Sequence, residues 1–291
     1  MLKIYPKGLV AALISLGLVF AVMTSSAATV KGKKPMNTTE TKVDARSETK
    51  TDAQVNLPLF YKGLVPLSKS EHANLEFPEM HGSYAFARET NIIPILLSEV
   101  GRAEANYPIV FIQPTEKDPI SMAVLVGLNG KNHYLDQKDQ WVKDAYIPAW
   151  VRRYPFFAVQ VDGKSDAMIA IDPNYQFIKD KGGKPFFDKD GKGTERLQSL
   201  INSNLAYQKE AVVTQAATEA LKEAGVLEGG TLQLRAGAQG DTKSFTGFLI
   251  VNEKKLMGLE DAQIVKLQRS GALGMAYAQM LSMRNIKFIA N

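Results

Sequence analysis

Apolar, β-branched runs in this chain are joined by connections too short for anything but antiparallel pairing. That restriction shapes every later expectation. YPIVFI (107–112) and ISMAVLVGL (120–128) are bounded by proline and polar residues, as strands are. Asn129-Gly130, between ISMAVLVGL and NHYLD, is a two-residue hairpin signal, because a type I′ turn needs φ > 0 at both central positions. FFAVQVD (156–162) and AMIAID (167–172) flank Asp162-Gly163-Lys164-Ser165-Asp166, a second hairpin. TLQLRA (231–236) and SFTGFLIV (244–251) flank a glycine-rich loop and make a third, with GGTLQLRAGAQG read as a strand between two glycine turns. Parallel partners would need a crossover of about a dozen residues or more.

Helical periodicity comes late. TERLQSLINSNLAYQKEAVVTQAATEALKEAG places Leu197, Ile201, Leu205, Val212, Ala216, Ala220 and Ala224 on one core-facing stripe and ends at Gly225 as a C′ glycine. LEDAQIVKLQRSGALGMAYAQMLSMRN has acids in its first turn and Arg284 in its last, as the helix dipole favours. It should break near Ser270-Gly271, with Gly271, Gly274, Ala276 and Ala278 admitting a close neighbour. Strands gathered first and helices after predict an α+β fold, antiparallel hairpins or a meander packed with C-terminal helices.

The stretch AYIPAWVRRYPFFAVQVD (145–162) sets two arginines inside an aromatic, apolar run. Pro148 suits the start of a helix, and Pro155 pushes Tyr154 toward extended backbone. AWVRRY is therefore a short helix docked on the following strand. At about 100° per residue, Ile147, Trp150, Val151 and Tyr154 share one side, Arg152 points to solvent and Arg153 lies on the flank. From there Arg153 can lay its stem across the Trp150 indole or pair with a carboxylate. A ligand-lining role for Arg153 is the functional alternative to this structural one. Trp150, Arg153 and His72 are the candidate ligand- or partner-binding side chains.

The N-terminal part frames the compartment. Lys3 and Lys7 precede the uncharged run 8–23 and the small residues Ser26 and Ala28, the pattern of a signal peptide cut after Ala28. An uncleaved anchor is the alternative, favoured by Lys31, Lys33 and Lys34. Against it, the run of 16 residues reaches about 24 Å, short of a bilayer core of about 30 Å. Residues 29–56 hold hardly any large apolar side chain and are expected to be a disordered spacer. From Leu57 apolar residues persist, so 57–291 is expected to form a single domain. The net charge of +5 is not carried by that domain. Two lysines lie in 1–28, and six basic against four acidic residues in 29–56, leaving 27 against 26 for 57–291. A nucleic-acid binder should show a basic patch or stripe, so no nucleic-acid partner is expected. The chain has no cysteine, so its core must hold the fold without disulfides.

No catalytic or cofactor motif survives inspection. G-x-S-x-G, the P-loop and G-x-G-x-x-G are missing, and His72, His81 and His133 show no ligand spacing. Asp188-Lys189-Asp190-Gly191-Lys192-Gly193 resembles a calcium loop only faintly, with a lysine at the fifth position and Ser199 at the twelfth. It is expected to be a turn, and neither metal nor cofactor is expected.

Together NLPLFYKGLVPLSKSEHANLEF (56–77), YPIVFI, AYIPAWVRRYPF, PFFDKDGKGT (185–194) and LQRSGALGMAYAQMLSMRNI (267–286) resemble the SapC family, a bacterial group named for its place in surface-layer gene clusters. The resemblance runs from about residue 57 to the C-terminus and implies no catalytic residues. Members are sometimes labelled peptide-transporter permeases, a role that needs several membrane segments where this chain offers at most one. The leader-like start and spacer depart from the shorter, leaderless form of the family. The expectation is an exported, periplasmic or cell-surface accessory protein that binds an envelope or secreted protein or a surface glycan. Membrane contact is expected only through residues 8–23 if they are retained, with the chain then anchored in the inner membrane and facing the periplasm. The alternative is a periplasmic enzyme that uses carboxylate and arginine chemistry.

Overall fold

The computed structural model describes residues 57–73, 75–77, 83–128, 130–160, 167–175, 184–235 and 242–289. The expected leader and spacer, His81, Asn129 and the 161–166 connection lie outside them. The strands are β1 (Val65–Pro66), β2 (Glu76–Phe77), β3 (Ile92–Pro94), β4 (Ile109–Ile112), β5 (Ser121–Leu125), β6 (Phe156–Gln160), β7 (Ala167–Ile171), β8 (Lys184–Pro185), β9 (Leu227–Arg235) and β10 (Thr242–Val251). The helices are α1 (Lys69–His72), α2 (Val100–Ala103), α3 (Ala149–Arg153), α4 (Glu195–Glu223), α5 (Glu253–Met257), α6 (Asp261–Ser270) and α7 (Ala272–Ser282). Every strand pairing is antiparallel. A five-stranded sheet runs β3-β5-β4-β10-β9, a three-stranded sheet β1-β7-β6, and β2 pairs with β8. This is an α+β fold.

The hairpins β6–β7 and β9–β10 form as the sequence predicts. Past Gly130 the chain adds no strand to β5, and among the described residues a single backbone bond returns, from His133 N to Val126 O (2.8 Å). Residues 131–135 form no strand, and β5 pairs instead with β3 and β4. A Cβ on Gly127 would fall 1.7 Å from the Lys131 carbonyl oxygen, so the chain doubles back too tightly for a ladder. Asn132 then turns to the other side, its N–H donating to Arg88 O (2.8 Å) and its Nδ2 to Ala87 O (3.2 Å). β4 and β5 are buried along their whole length, which explains their continuous apolar reading. Gly229 and Gly230 do not form a turn but belong to β9, where the Phe248 ring lies where a Cβ on Gly230 would stand, 2.2 Å away.

α4 is capped by the Thr194 side chain and closed, as predicted, by Gly225 at φ 69°, and it buries the expected stripe only in part. Of that stripe Leu197, Ile201, Ala220 and Ala224 pack on the core, but Val212 is 60% exposed and Ala216 is also exposed, while Asn204, Tyr207, Thr214, Ala217, Thr218 and Leu221 point inward as well. Steps of four residues drift by about 40° each, so a stripe built on them leaves the core over part of its length. The true inner face is polar in sequence because its hydroxyls bond other elements. Thr218 Oγ1 donates to Ile120 O (2.9 Å), and Thr214 Oγ1 accepts from Leu97 N (2.8 Å). α6 and α7 part at Gly271 (φ 78°), as expected, and Leu97 packs at that break. Ala276 is fully buried, whereas nothing approaches the Cβ position of Gly274.

β10 and β4 meet at one register pair, Leu249 with Phe111, and α7 ties the remainder of the seam. Gln279 Oε1 accepts from Val251 N (3.0 Å) while its Nε2 donates to Ile109 O (3.3 Å). Ser282 Oγ accepts from Ile109 N (2.8 Å), and Asn285 Nδ2 donates to Glu104 O (2.6 Å) and Tyr107 O (3.3 Å). Among the described residues no helix is long and apolar enough to cross a membrane.

Candidate functional site

α3 forms where the sequence places it. Pro148 precedes its first turn, Tyr154 leaves it in extended backbone (φ −61°, ψ 137°), and Trp150, Val151 and Tyr154 are buried. Trp150 is 2% exposed and donates from Nε1 to Leu59 O (3.3 Å), so its indole belongs to the core.

Arg153 takes the first of its two expected options. Its guanidinium carbon stands 5.1 Å from the Trp150 ring centre, 4.4 Å from Phe157 and 4.4 Å from Tyr207. No ion pair to a carboxylate is found for it among the described residues, and its buried Nε and Nη2 have no hydrogen-bond partner. A cation over three ring faces gains quadrupole attraction but leaves N–H capacity unused. The charge acts on the neighbouring phenols without ruling them. Burial pushes Tyr61 up to about 12, and Tyr207 upward as well, with Arg153 pulling both back only in part. Both phenols stay neutral near pH 7.

Arg152 is exposed, as expected, yet it is not loose. Its Nε donates to Ile147 O (3.0 Å), its Nη2 to Tyr146 Oη (3.1 Å), and its guanidinium lies 5.8 Å from the Tyr146 ring centre. The exposed Arg102 of α2 stands 5.9 Å from the same ring centre. The half-buried Tyr146 thus carries two arginines at the surface.

Beneath them lies Glu99, which is 4% exposed. Its Oε1 accepts from Tyr146 Oη (2.9 Å) and Ala149 N (2.7 Å), and its Oε2 from Leu96 N (2.8 Å). Burial raises its carboxyl above the ordinary 4.5, opposed by these donors and by Arg152. A second carboxylate, Asp172, is fully buried. It accepts from Lys62 N (2.7 Å), Tyr154 Oη (3.1 Å), Asn174 N (2.9 Å) and Asn174 Nδ2 (3.1 Å). Each carboxylate fastens a loop to α3 or to the residue that ends it.

His72 stands apart from this cluster in its bonding. Its Nδ1 accepts from Ser68 N (3.1 Å) and closes the turn that begins α1. Asp188 also closes a turn: its Oδ1 accepts from Lys192 N (2.8 Å), its backbone O accepts from Gly191 N (2.8 Å), and Lys69 Nζ lies over the loop to donate to Asp190 O (2.8 Å). Among the described residues no three His, Asp or Glu side chains gather as a metal site would require.

Sequence reasoning brought Trp150 and Arg153 together correctly and missed Glu99, Tyr146 and Asp172. The signal for Glu99 was an acid inside the apolar stretch NIIPILLSEVG, and for Asp172 an acid that ends a buried strand. A family model described as SapC matches residues 67–288. No curated protein and no solved structure matches the chain.

Proposed function

The chain belongs to the SapC family, and on that premise we propose that it is an exported, non-catalytic accessory protein of the cell envelope, associated with the surface layer, that binds a protein or glycan partner. One observation carries this reading: both buried carboxylates of the α3 region are engaged by donors that hold the fold, three at Glu99 and four at Asp172. What the same region offers outward is Arg102–Tyr146–Arg152, a cationic and aromatic surface. Guanidinium groups bind carboxylate or sulfate forks and an aromatic face stacks on sugar rings, so this surface suits an acidic glycan or an acidic protein segment. Trp150 and Arg153 belong to the same short helix as Arg152, and His72 closes its own turn.

The periplasmic or cell-surface setting rests on the leader-like residues 1–28, with inner-membrane anchoring through 8–23 as the variant arrangement. Co-sedimentation with isolated cell-wall sacculi that retain their surface glycans, and with the secreted-protein fraction, tests the reading. Wild type should sediment with one of them, and Arg102→Ala combined with Arg152→Ala should weaken this at least about tenfold. Equal sedimentation by the variant would remove the surface from the proposal. Release of soluble fragments from the sacculi would replace it with the enzyme reading.

A further inference from the structure

The inner face of α7 mixes apolar Ala272, Met275 and Ala276 with polar side chains. Gln279 and Ser282, with Asn285 just beyond, face the core and are 1%, 0% and 3% exposed. The large apolar residues Tyr277 and Leu281 face solvent, 49% and 58% exposed, with half-buried Leu273 one turn before them. No residue of Ala272–Ser282 is charged, although the outer face of a surface helix is ordinarily polar. An apolar outward helix face marks a contact that the isolated chain does not make. The open Cβ position at Gly274 leaves that face flat.

Charge indicates what covers it. Residues 262–291 contain four basic side chains and no acid. Lys266 is paired with Glu223 and Arg284 with Glu104, while Arg269 and Lys287, one before and one after α7, are exposed. Lys287 lies 5.1 Å from the ring centre of Phe288, itself 55% exposed. A second copy would set like charges against each other, whereas an anionic surface is complementary to them.

We infer that the outer face of α7 rests on an anionic phospholipid surface, with Tyr277 and Leu281 dipping into the headgroup boundary and Arg269 and Lys287 meeting the phosphates. The helix has 11 residues, so it spans about 16 Å, enough to lie in the interface and too little to cross it. This contact uses other side chains than Arg102, Tyr146 and Arg152.

The lack of cysteine allows a local readout. In the full chain, Leu281→Cys and, as a control on α4, Val213→Cys each carry one environment-sensitive fluorophore. Both positions are solvent-exposed, so the melting curve should be unchanged. With vesicles of phosphatidylglycerol and phosphatidylcholine the probe at 281 should shift to the blue and brighten several-fold, and the probe at 213 should not. Pure phosphatidylcholine should leave both unchanged, which separates docking of α7 from any tethering by residues 8–23. One basic side chain near such a surface contributes about fivefold in binding, so Arg269→Glu with Lys287→Glu should weaken the response at least about 25-fold. A silent probe at 281, an equal response to uncharged lipid, or a shift that grows with protein concentration without vesicles would each overturn the inference, the last by showing a second copy on this face.

Discussion

Replacing Gln279 by Met keeps the length and apolar stem of a side chain that is 1% exposed and removes its two hydrogen bonds. The Val251 N–H then has no acceptor in a buried position, at a cost of about 1–3 kcal/mol. The Ile109 carbonyl, whose bond is longer at 3.3 Å, adds up to about 1 kcal/mol. A loss of about 2–4 kcal/mol follows, which for a chain of this size lowers the melting temperature by roughly 5–15 °C. Urea unfolding followed by tryptophan fluorescence measures the total. Amide exchange at Val251 localises it, because this N–H should lose protection before its neighbours in β9. A loss below about 1 kcal/mol, or an unchanged Val251 amide, would refute the view that α7 substitutes for the missing ladder between β4 and β10. Ser282→Ala, which strips the acceptor from Ile109 N, should act in the same direction.

Around α3, Trp150→Ala should cost about 3–5 kcal/mol by emptying a core position, and Arg153→Met should stay within about 1 kcal/mol because lost ring contacts are offset by removing unpaired N–H groups. A loss above about 3 kcal/mol for Arg153→Met would mean that the guanidinium has a partner other than the rings. For Glu99, folded and unfolded chains differ in proton uptake from about pH 4.5 upward, where the unfolded carboxyl has lost its proton and the folded one retains it. Stability contributed at lower pH is therefore lost as pH rises through the folded value. Glu99→Gln should abolish this slope, and a pH-independent difference between the two proteins would refute it. Export predicts a mature N-terminus near Thr29 in a periplasmic or extracellular fraction, and N-terminal sequencing that finds residues 1–28 retained would leave only the anchored arrangement.

Much of this structure was legible wherever a side chain's neighbours lie close in sequence. The ends of α3 follow from two prolines, its docking side from the spacing of Trp150, Val151 and Tyr154, and the end of α4 from Gly225. Legibility failed where a polar residue serves a distant backbone group. Thr214, Thr218, Gln279 and Ser282 look like solvent-facing residues in a helical pattern, and their partners at Leu97, Ile120, Val251 and Ile109 are invisible to periodicity. The same holds for Glu99 and Asp172, whose donors Ala149 and Lys62 are 50 and 110 residues away in the chain. No strand follows Gly130 at 131–135, because a turn signal says nothing of what lies past it.

The seam closed by α7 also fixes the order in which the molecule can be completed. Ser282 meets Ile109 across 173 residues, and Asn285 meets Glu104 across 181. Each doubling of such a loop adds only about 0.6 kcal/mol of closure entropy, so length alone is no obstacle. Time is the obstacle, because β4 is synthesised long before the residues that fasten its edge. Until Ser282 is made, the Ile109 N–H stands open at the margin of the strand unit β3-β5-β4. A nascent chain therefore carries an incompletely sealed strand edge from β4 until α7 emerges, and commitment to the native sheet waits for that helix.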